Sequence, residues 1–256
     1  MSELILTRDA GAIRYLTMNR PEKLNAMNDA LVGQLAAALR TAEADRDVAV
    51  IVLAGAGRAF CAGADLGGGN PGGGKADKGK TGGEESAKTA PTGHQIAARL
   101  EDIIRFYGTI QRMDTPVIAA VQGYAMGGGC NLAVSCDLVV AADNAMFGYP
   151  EVKLGMAAAG VAPTLVHQIG RKAAFELLTL CNNIDARQAL AFGMINRIVP
   201  ADELLATASA MAEQLAGFNH DALRLTKQLI RRAADLPFAQ ALEAGRDTGL
   251  AMHLFT

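Results

Sequence analysis

Runs of apolar residues along the chain predict strands that alternate with helices. Short apolar runs at 4–6 and 12–18 flank a turn-forming stretch and predict an opening hairpin. Three later runs, at 48–53, 116–121 and 137–142, are almost entirely apolar and show no polar face. Such runs are typical of strands that are covered on both sides by helices.

The segments between and after these runs predict helices. One helix is expected to begin near Asn28, whose side chain can accept a hydrogen bond from a free N–H group of the first turn. Apolar residues spaced three and four apart form its predicted buried face: Leu31, Leu35, Ala38 and Leu39. Alanine- and leucine-rich composition after residue 196 predicts three more helices, at 201–216, 220–234 and 237–246.

Because strand, glycine-bearing loop and helix alternate, the sequence predicts an α/β chain. Residues 1–195 are expected to form the α/β core, and 196–256 a C-terminal helical region. Within the core, residues 67–93 are rich in Gly and Lys and lack large apolar side chains, which predicts a flexible surface insertion. The alternative is a dedicated binding element. Its lysines are candidates for contact with ligand phosphates: Lys75, Lys78, Lys80 and Lys88.

Composition and charge exclude several classes of partner. The 256 residues carry 24 basic and 26 acidic side chains, so the chain has no basic excess that would predict nucleic-acid binding. Charges at Glu3, Arg8 and Asp9 interrupt any signal-peptide core, and no apolar run reaches membrane-spanning length. The sequence therefore predicts a cytoplasmic protein without a membrane partner.

The cysteines and histidines do not form a recognisable metal or catalytic motif. Cys61, Cys130, Cys136 and Cys181 include no C-x-x-C pair, and the four histidines occur singly. Buried free thiols are the expected state of the cysteines. No metal site is predicted.

Two glycine-rich loops carry candidate chemistry. Residues 55–60 (GAGRAF) begin like a dinucleotide-binding motif, but Phe60 stands where close helix packing requires glycine, which disfavours a nucleotide-dependent oxidoreductase. Residues 127–129 lack the Gly-Lys-Ser/Thr continuation of a phosphate-binding P-loop. They precede a helix-compatible stretch, so they permit either close approach of backbone N–H groups to a ligand oxygen or simply tight packing.

Three segments resemble the crotonase superfamily, the enoyl-CoA hydratase/isomerase family, in order and separation: 59–66 (AFCAGADL), 116–130 (PVIAAVQGYAMGGGC) and 147–151 (FGYPE). Residues 19–21 with 24–26 and residues 189–196 resemble further segments of that family. The resemblance implies an acyl-CoA enzyme of fatty acid metabolism with the ClpP/crotonase fold, a superhelix of ββα turns. It also implies C-terminal helices that form homotrimers or dimers of trimers, and no cofactor besides the coenzyme A of the substrate.

The resemblance also implies roles for individual residues. The backbone N–H groups of Ala64 and Gly128 match the oxyanion-hole donors, each of which can contribute about 3–4 kcal/mol to stabilising a thioester enolate. The residues implied to contact CoA or substrate are Ala62, Ala64, Asp65, Leu66, Lys23, Leu24 and Tyr149. Many relatives have a lysine after this CoA-binding segment, whereas Gly67 stands here. Tyr149 can equally be a packing residue.

The acid–base residues distinguish the possible reactions. Family hydratases use two glutamates, and this chain has Asn131 at the first position and Glu151 at the second. An amide cannot accept a proton at neutral pH, so Glu151 is the predicted acid and base, which favours double-bond isomerisation. Two alternatives stay open: hydration with Asn131 orienting the water, and a non-catalytic member that binds acyl-CoA.

Overall fold

A computed structural model describes residues 3–65 and 92–255 of the chain. Nearly all of the predicted insertion at 67–93 lies outside the described residues. Those residues contain nine strands: β1 (Ile5–Ala10), β2 (Ile13–Met18), β3 (Val50–Gly55), β4 (Val117–Val121), β5 (Tyr124–Met126), β6 (Leu138–Ala142), β7 (Met146–Gly148), β8 (Ile184–Asp185) and β9 (Arg197–Val199). The α-helices are α1 (Asp29–Ala44), α2 (Gly93–Tyr107), α3 (Thr109–Arg112), α4 (Gly128–Val134), α5 (Ala162–Leu180), α6 (Ala186–Ala191), α7 (Leu204–Ala216), α8 (His220–Asp235) and α9 (Phe238–Phe255).

The strands form a large sheet of order β1-β2-β3-β4-β6-β9 and a small sheet of order β5-β7-β8. β1 and β2 form the predicted antiparallel hairpin, and every later pairing in the large sheet is parallel. In the small sheet β5 pairs with β7 in parallel, whereas β7 and β8 are antiparallel. The α/β architecture expected from the sequence is therefore present.

Helices cover both faces of the large sheet. Alternate residues of β3 belong to two separate hydrophobic clusters, with Ile51 and Leu53 in one and Val50 and Val52 in the other. The first cluster includes the predicted face of α1, and the second includes residues of α7. Full burial of each such side chain contributes about 1.5–3 kcal/mol, which explains why the strand sequence has no polar face.

Asn28 caps α1 as predicted, because its side chain accepts a hydrogen bond from the N–H group of Leu31. Three boundaries differ clearly from the prediction. The last helix, α9, continues to Phe255, beyond the predicted end at 246. Residues 197–199 form β9, which pairs with β6 in the large sheet, so the helical part begins only after it. Three residues are too few to give a periodic signal. Gly93 already belongs to α2. The division into a core and an oligomerisation region stays a prediction.

Cys61, Cys130 and Cys136 are buried free thiols as expected, whereas Cys181 is only half-buried. Burial raises the pKa of Cys61 and of Cys130 to about 12, so both remain protonated at neutral pH.

Within the described ranges, no His, Cys, Asp or Glu side chains are grouped in threes as metal ligands would be. No helix of the described part has the length and apolar character needed to span a bilayer.

Candidate active site

The N–H group of Ala64 is directed away from the strand-like contact that holds its segment. Ala64 forms a parallel bridge with Met27, in which Met27 donates to the carbonyl of Gly63 at 2.7 Å and accepts from the N–H group of Asp65 at 3.0 Å. These bonds engage the residues on either side of Ala64. Ala64 is exposed, and its own N–H group donates to no atom of the described residues.

Gly128 is the first residue of α4, and its N–H group lies beside the Ala64 segment. Gly127 precedes it with a φ of 50°, a conformation that favours glycine. Gly63 has a φ of 90°, and a Cβ built there would lie 2.7 Å from the carbonyl oxygen of Met126 and 3.8 Å from the Gly128 nitrogen. As the first residue of a helix, Gly128 has no intrahelical acceptor, and no acceptor for its N–H group is present elsewhere among residues 3–65 and 92–255.

The carboxylate of Glu151 lies against Gly127. A Cβ built on Gly127 would be 2.9 Å from Oε1 of Glu151. This proximity follows from the small sheet, since the N–H group of Gly127 donates to the carbonyl of Gly148 at 2.7 Å, near the start of the loop that leads to Glu151. The carbonyl of Glu151 accepts from Leu154 at 3.1 Å and Met156 at 2.9 Å, which fixes the backbone.

The Glu151 carboxyl group is suited to proton transfer. It is half-buried, and its Oε2 atom is buried without a hydrogen-bond partner in the described part of the chain. Burial raises its pKa from the ordinary glutamate value, and a backbone hydrogen bond from its own N–H group opposes part of that increase. A carboxyl with a raised pKa is closer to the neutral range in which a general acid and base work best.

Asn131 is completely buried in α4, and its side chain has unused hydrogen-bonding capacity. Neither Oδ1 nor Nδ2 has a partner among the described residues. An unpartnered buried polar group costs about 1–3 kcal/mol, so such groups in native proteins usually serve a ligand or an ordered water. The amide therefore has the capacity to orient a small polar molecule, although it cannot remove a proton.

Tyr149 lies in the hydrophobic core, with only 1% of its surface exposed. Its hydroxyl has no hydrogen bond of standard geometry to a described residue, although the nearby Cys130 thiol and Glu151 carboxylate contribute to raising its pKa, after burial as the main cause. Of the two roles that the sequence left open for Tyr149, its burial supports packing beneath the site.

The residues expected near CoA lie on two loops that hydrogen bonds hold together. Leu24 accepts a hydrogen bond from the N–H group of Ala62 at 2.9 Å, and its neighbour Lys23 is exposed. Arg20 pairs with the carboxylate of Asp65 at 3.0 Å, which fixes that carboxylate. The structure thus brings Lys23, Leu24, Ala62, Ala64 and Asp65 together, whereas Leu66 lies outside the described residues.

Buried Asn25 explains why the 24–26 segment accompanies the Ala64 loop. It has a φ of 54°, a conformation that asparagine tolerates better than most residues. Its side chain accepts from the N–H group of Arg20 at 2.8 Å and donates to the carbonyls of Ala56 and Ala59 at 2.9 Å each. These bonds join the loop after β2 to the loop after β3, which leads to Ala64.

Two side chains at the site were not identified from the sequence. A Cβ built on Gly128 would collide with the hydroxyl of Tyr107 and would lie 2.7 Å from Cε of Met27. Met27 directly follows the family-like segment 24–26, and this position is a partial indication that it lies near the site. Tyr107 lies at the end of α2, outside every motif, and only the fold brings it to Gly128.

Comparisons with known proteins agree with this architecture. A family model described as enoyl-CoA hydratase/isomerase matches residues 8–253. The 2,3-dehydroadipyl-CoA hydratase of Escherichia coli is 37% identical over 247 residues, which cover 96% of this chain and 86% of that protein. Other similar curated proteins include probable enoyl-CoA hydratases of Dictyostelium discoideum, 32% identical over 94% of this chain and 79% of that protein, and of Rhizobium meliloti, 34% identical over 95% of this chain and 87% of that protein.

Solved structures of both kinds of enzyme share the fold. A Mycobacterium smegmatis enoyl-CoA hydratase superposes with a TM-score of 0.86 and 29% identity, covering 99% of this chain and 92% of that one. A monofunctional enoyl-CoA isomerase from the same organism gives 0.74 and 29%, with coverage of 94% and 98%. The crotonase-like α/β fold predicted from the sequence is confirmed. With a family match over nearly its whole length, the chain belongs to the enoyl-CoA hydratase/isomerase family of the crotonase superfamily.

Proposed function

We propose that this enzyme moves the double bond of an enoyl-CoA thioester, with Glu151 as its single acid and base. The observation that carries the proposal is that only one of the two family acid–base positions holds a carboxylate. Glu151 lies half-buried against Gly127, whereas the position of the first hydratase glutamate holds the amide of Asn131. One carboxylate suffices for a double-bond shift, because the proton that leaves one carbon is returned to another.

The proposed reaction starts from a 3-enoyl-CoA. The Glu151 carboxylate removes a proton from C2, and the electron pair of that C–H bond forms the enolate, with negative charge on the thioester oxygen. The N–H groups of Ala64 and Gly128 donate to this oxygen. Protonated Glu151 then returns the proton to C4, which gives the 2-enoyl-CoA and regenerates the carboxylate. The shift is redox-neutral, and CoA enters and leaves as part of the substrate.

Hydration of a 2-enoyl-CoA is the second candidate. The unpartnered amide atoms of buried Asn131 favour it, because they could hold a water molecule in position. Glu151 would then have to activate that water and also protonate C2. The name of the Escherichia coli relative, 2,3-dehydroadipyl-CoA hydratase, makes this reaction the natural comparison.

Product identity separates these two candidates. Purified enzyme is incubated with 2-enoyl-CoA and 3-enoyl-CoA thioesters of several chain lengths, and the products are identified by mass and retention time. We expect conversion of 3-enoyl-CoA into 2-enoyl-CoA without a change in mass. A main product heavier by one water would replace isomerisation by hydration as the function.

The pH dependence of kcat/KM reports the state of Glu151. The carboxylate form must remove the proton, so activity is expected to fall as the pH drops through the pKa of Glu151. Since burial raises that pKa, the acidic limb is expected at a higher pH than the ordinary pKa of glutamate would give. Steady-state rates measured across the acidic range with a 3-enoyl-CoA check this. An acidic limb at or below the ordinary glutamate pKa would show that another group controls the rate.

A further inference from the structure

Tyr107 places a phenol hydroxyl next to one of the two proposed enolate donors. A Cβ built on Gly128 would collide with this hydroxyl and would lie 3.0 Å from Cζ of the same ring. The absence of a side chain at Gly128 therefore leaves room for the phenol. No hydrogen bond joins the Tyr107 hydroxyl to any other described residue.

The structure around Tyr107 holds the ring in this position. Its neighbour Phe106 is buried in the core, with the two ring centroids 5.7 Å apart. The carbonyl of Arg105 accepts hydrogen bonds from the Thr109 hydroxyl at 3.0 Å and the Arg112 guanidinium at 2.6 Å, which fixes the end of α2. On the other side, a Cβ built on Gly160 would lie 3.2 Å from Cε2 of Tyr107.

The phenol can donate a hydrogen bond but is poorly suited to act as a base. Burial raises the pKa of Tyr107, and the neighbouring Cys61 and Glu151 raise it further. The hydroxyl therefore keeps its proton at neutral pH. A neutral donor held in a partly desolvated site is what a developing negative charge on oxygen requires.

We propose that Tyr107 is a catalytic residue that donates a third hydrogen bond to the enolate oxygen. The inference rests on the enolate chemistry of the proposed function. When Glu151 takes the C2 proton, the C–H electron pair becomes the C1–C2 double bond and the carbonyl π pair moves onto the thioester oxygen. Tyr107 keeps its proton throughout and stabilises that oxygen beside the N–H groups of Ala64 and Gly128.

The test compares Tyr107→Phe with the wild-type enzyme in a reaction that needs only the enolate. Hexanoyl-CoA, a saturated thioester without a double bond to move, is incubated in heavy water, and deuterium entry at C2 is followed by mass spectrometry. We expect exchange in the Tyr107→Phe enzyme to slow about 10- to 100-fold, the range for a hydrogen bond to a charged acceptor. The dissociation constant of hexanoyl-CoA is expected to change little, since the bond strengthens mainly as charge develops.

Tyr15→Phe is the matched control. It removes a tyrosine hydroxyl that donates to the Ser209 hydroxyl at 2.9 Å, in the hydrophobic cluster on the opposite face of the sheet. Its exchange rate should equal that of the wild type. Melting temperatures of both variants separate loss of folded protein from loss of catalysis.

Each outcome decides the role of Tyr107. Exchange at the wild-type rate in Tyr107→Phe would overturn it, as would equal losses in binding and exchange. Wild-type enzyme that exchanges C2 hydrogen but does not isomerise any 3-enoyl-CoA would refute the proposed function while the Tyr107 comparison still stands. If the wild-type enzyme exchanges nothing in this saturated thioester, the same comparison is made on kcat for 3-hexenoyl-CoA, and an unchanged kcat in Tyr107→Phe would refute the role of Tyr107.

Discussion

Replacing Glu151 by glutamine is expected to lower kcat for isomerisation by about 10²–10⁴-fold, the usual contribution of a positioned acid and base. Glutamine preserves the shape of the side chain, but its amide cannot accept the C2 proton. The dissociation constant of hexanoyl-CoA should change little, because the proposed binding contacts lie on the Ala64 loop and at Gly128. Stopped-time assays with 3-hexenoyl-CoA and equilibrium binding of hexanoyl-CoA measure the two quantities separately.

Glu213→Gln is the control for this substitution. Glu213 is an exposed residue of α7. This helix covers the face of the large sheet opposite the one that α1 covers, so replacing Glu213 should leave kcat unchanged. A Glu151→Gln enzyme with wild-type kcat would mean that Glu151 does not carry the proton.

Replacing Gly128 by alanine is expected to lower kcat by about 10²–10³-fold, as for loss of one oxyanion-hole donor. The new methyl group would collide with the Tyr107 hydroxyl and would lie 2.7 Å from Cε of Met27, so the backbone at Gly128 must shift. That shift would move the N–H group away from the proposed position of the thioester oxygen. Steady-state assays with 3-hexenoyl-CoA, together with circular dichroism to confirm folding, measure the effect.

Gly33→Ala is a matched glycine-to-alanine control. Gly33 lies on the exposed face of α1, where a Cβ would have no atom within 4 Å. It should keep full activity and gain about 0.5–1 kcal/mol in unfolding free energy, because glycine is unfavourable within a helix. Full activity in folded Gly128→Ala would show that the N–H group of Gly128 is not needed.

The parts of the fold that the sequence predicted depend on local patterns. The β3 run lacks a polar face because both of its faces are buried, and Asn28 caps α1 because its side chain reaches the N–H group of Leu31. β9 was missed because its three residues pair with β6 only through tertiary contacts. Local pattern therefore identified long elements and capped ends, but not short strands that tertiary pairing creates.

The candidate site shows the same division. Ala64, Gly128 and Glu151 lie in contiguous motifs, so the resemblance pointed to each of them, and their roles remain predictions. Tyr107 could not be found in this way, since nothing within its own segment indicates that the C-terminal end of α2 lies beside Gly128. The burial of the Tyr149 side chain also depends on tertiary packing. It is fully buried, although Glu151, two residues further along, is only half-buried.

The transfer of one proton by one carboxyl group can be followed with an isotope. A 3-hexenoyl-CoA labelled with deuterium at C2 is mixed with excess enzyme in ordinary water, and the product of a single turnover is examined by mass spectrometry and NMR. Because the Oε2 atom of Glu151 is buried, we expect exchange of the deuteron with solvent to be slower than its return within a single turnover, although fast enough for the longer C2-exchange experiment. Part of the label is therefore expected at C4 of the 2-enoyl product. A product with no deuterium at C4, or one heavier by a water molecule, would contradict proton transfer by Glu151 alone.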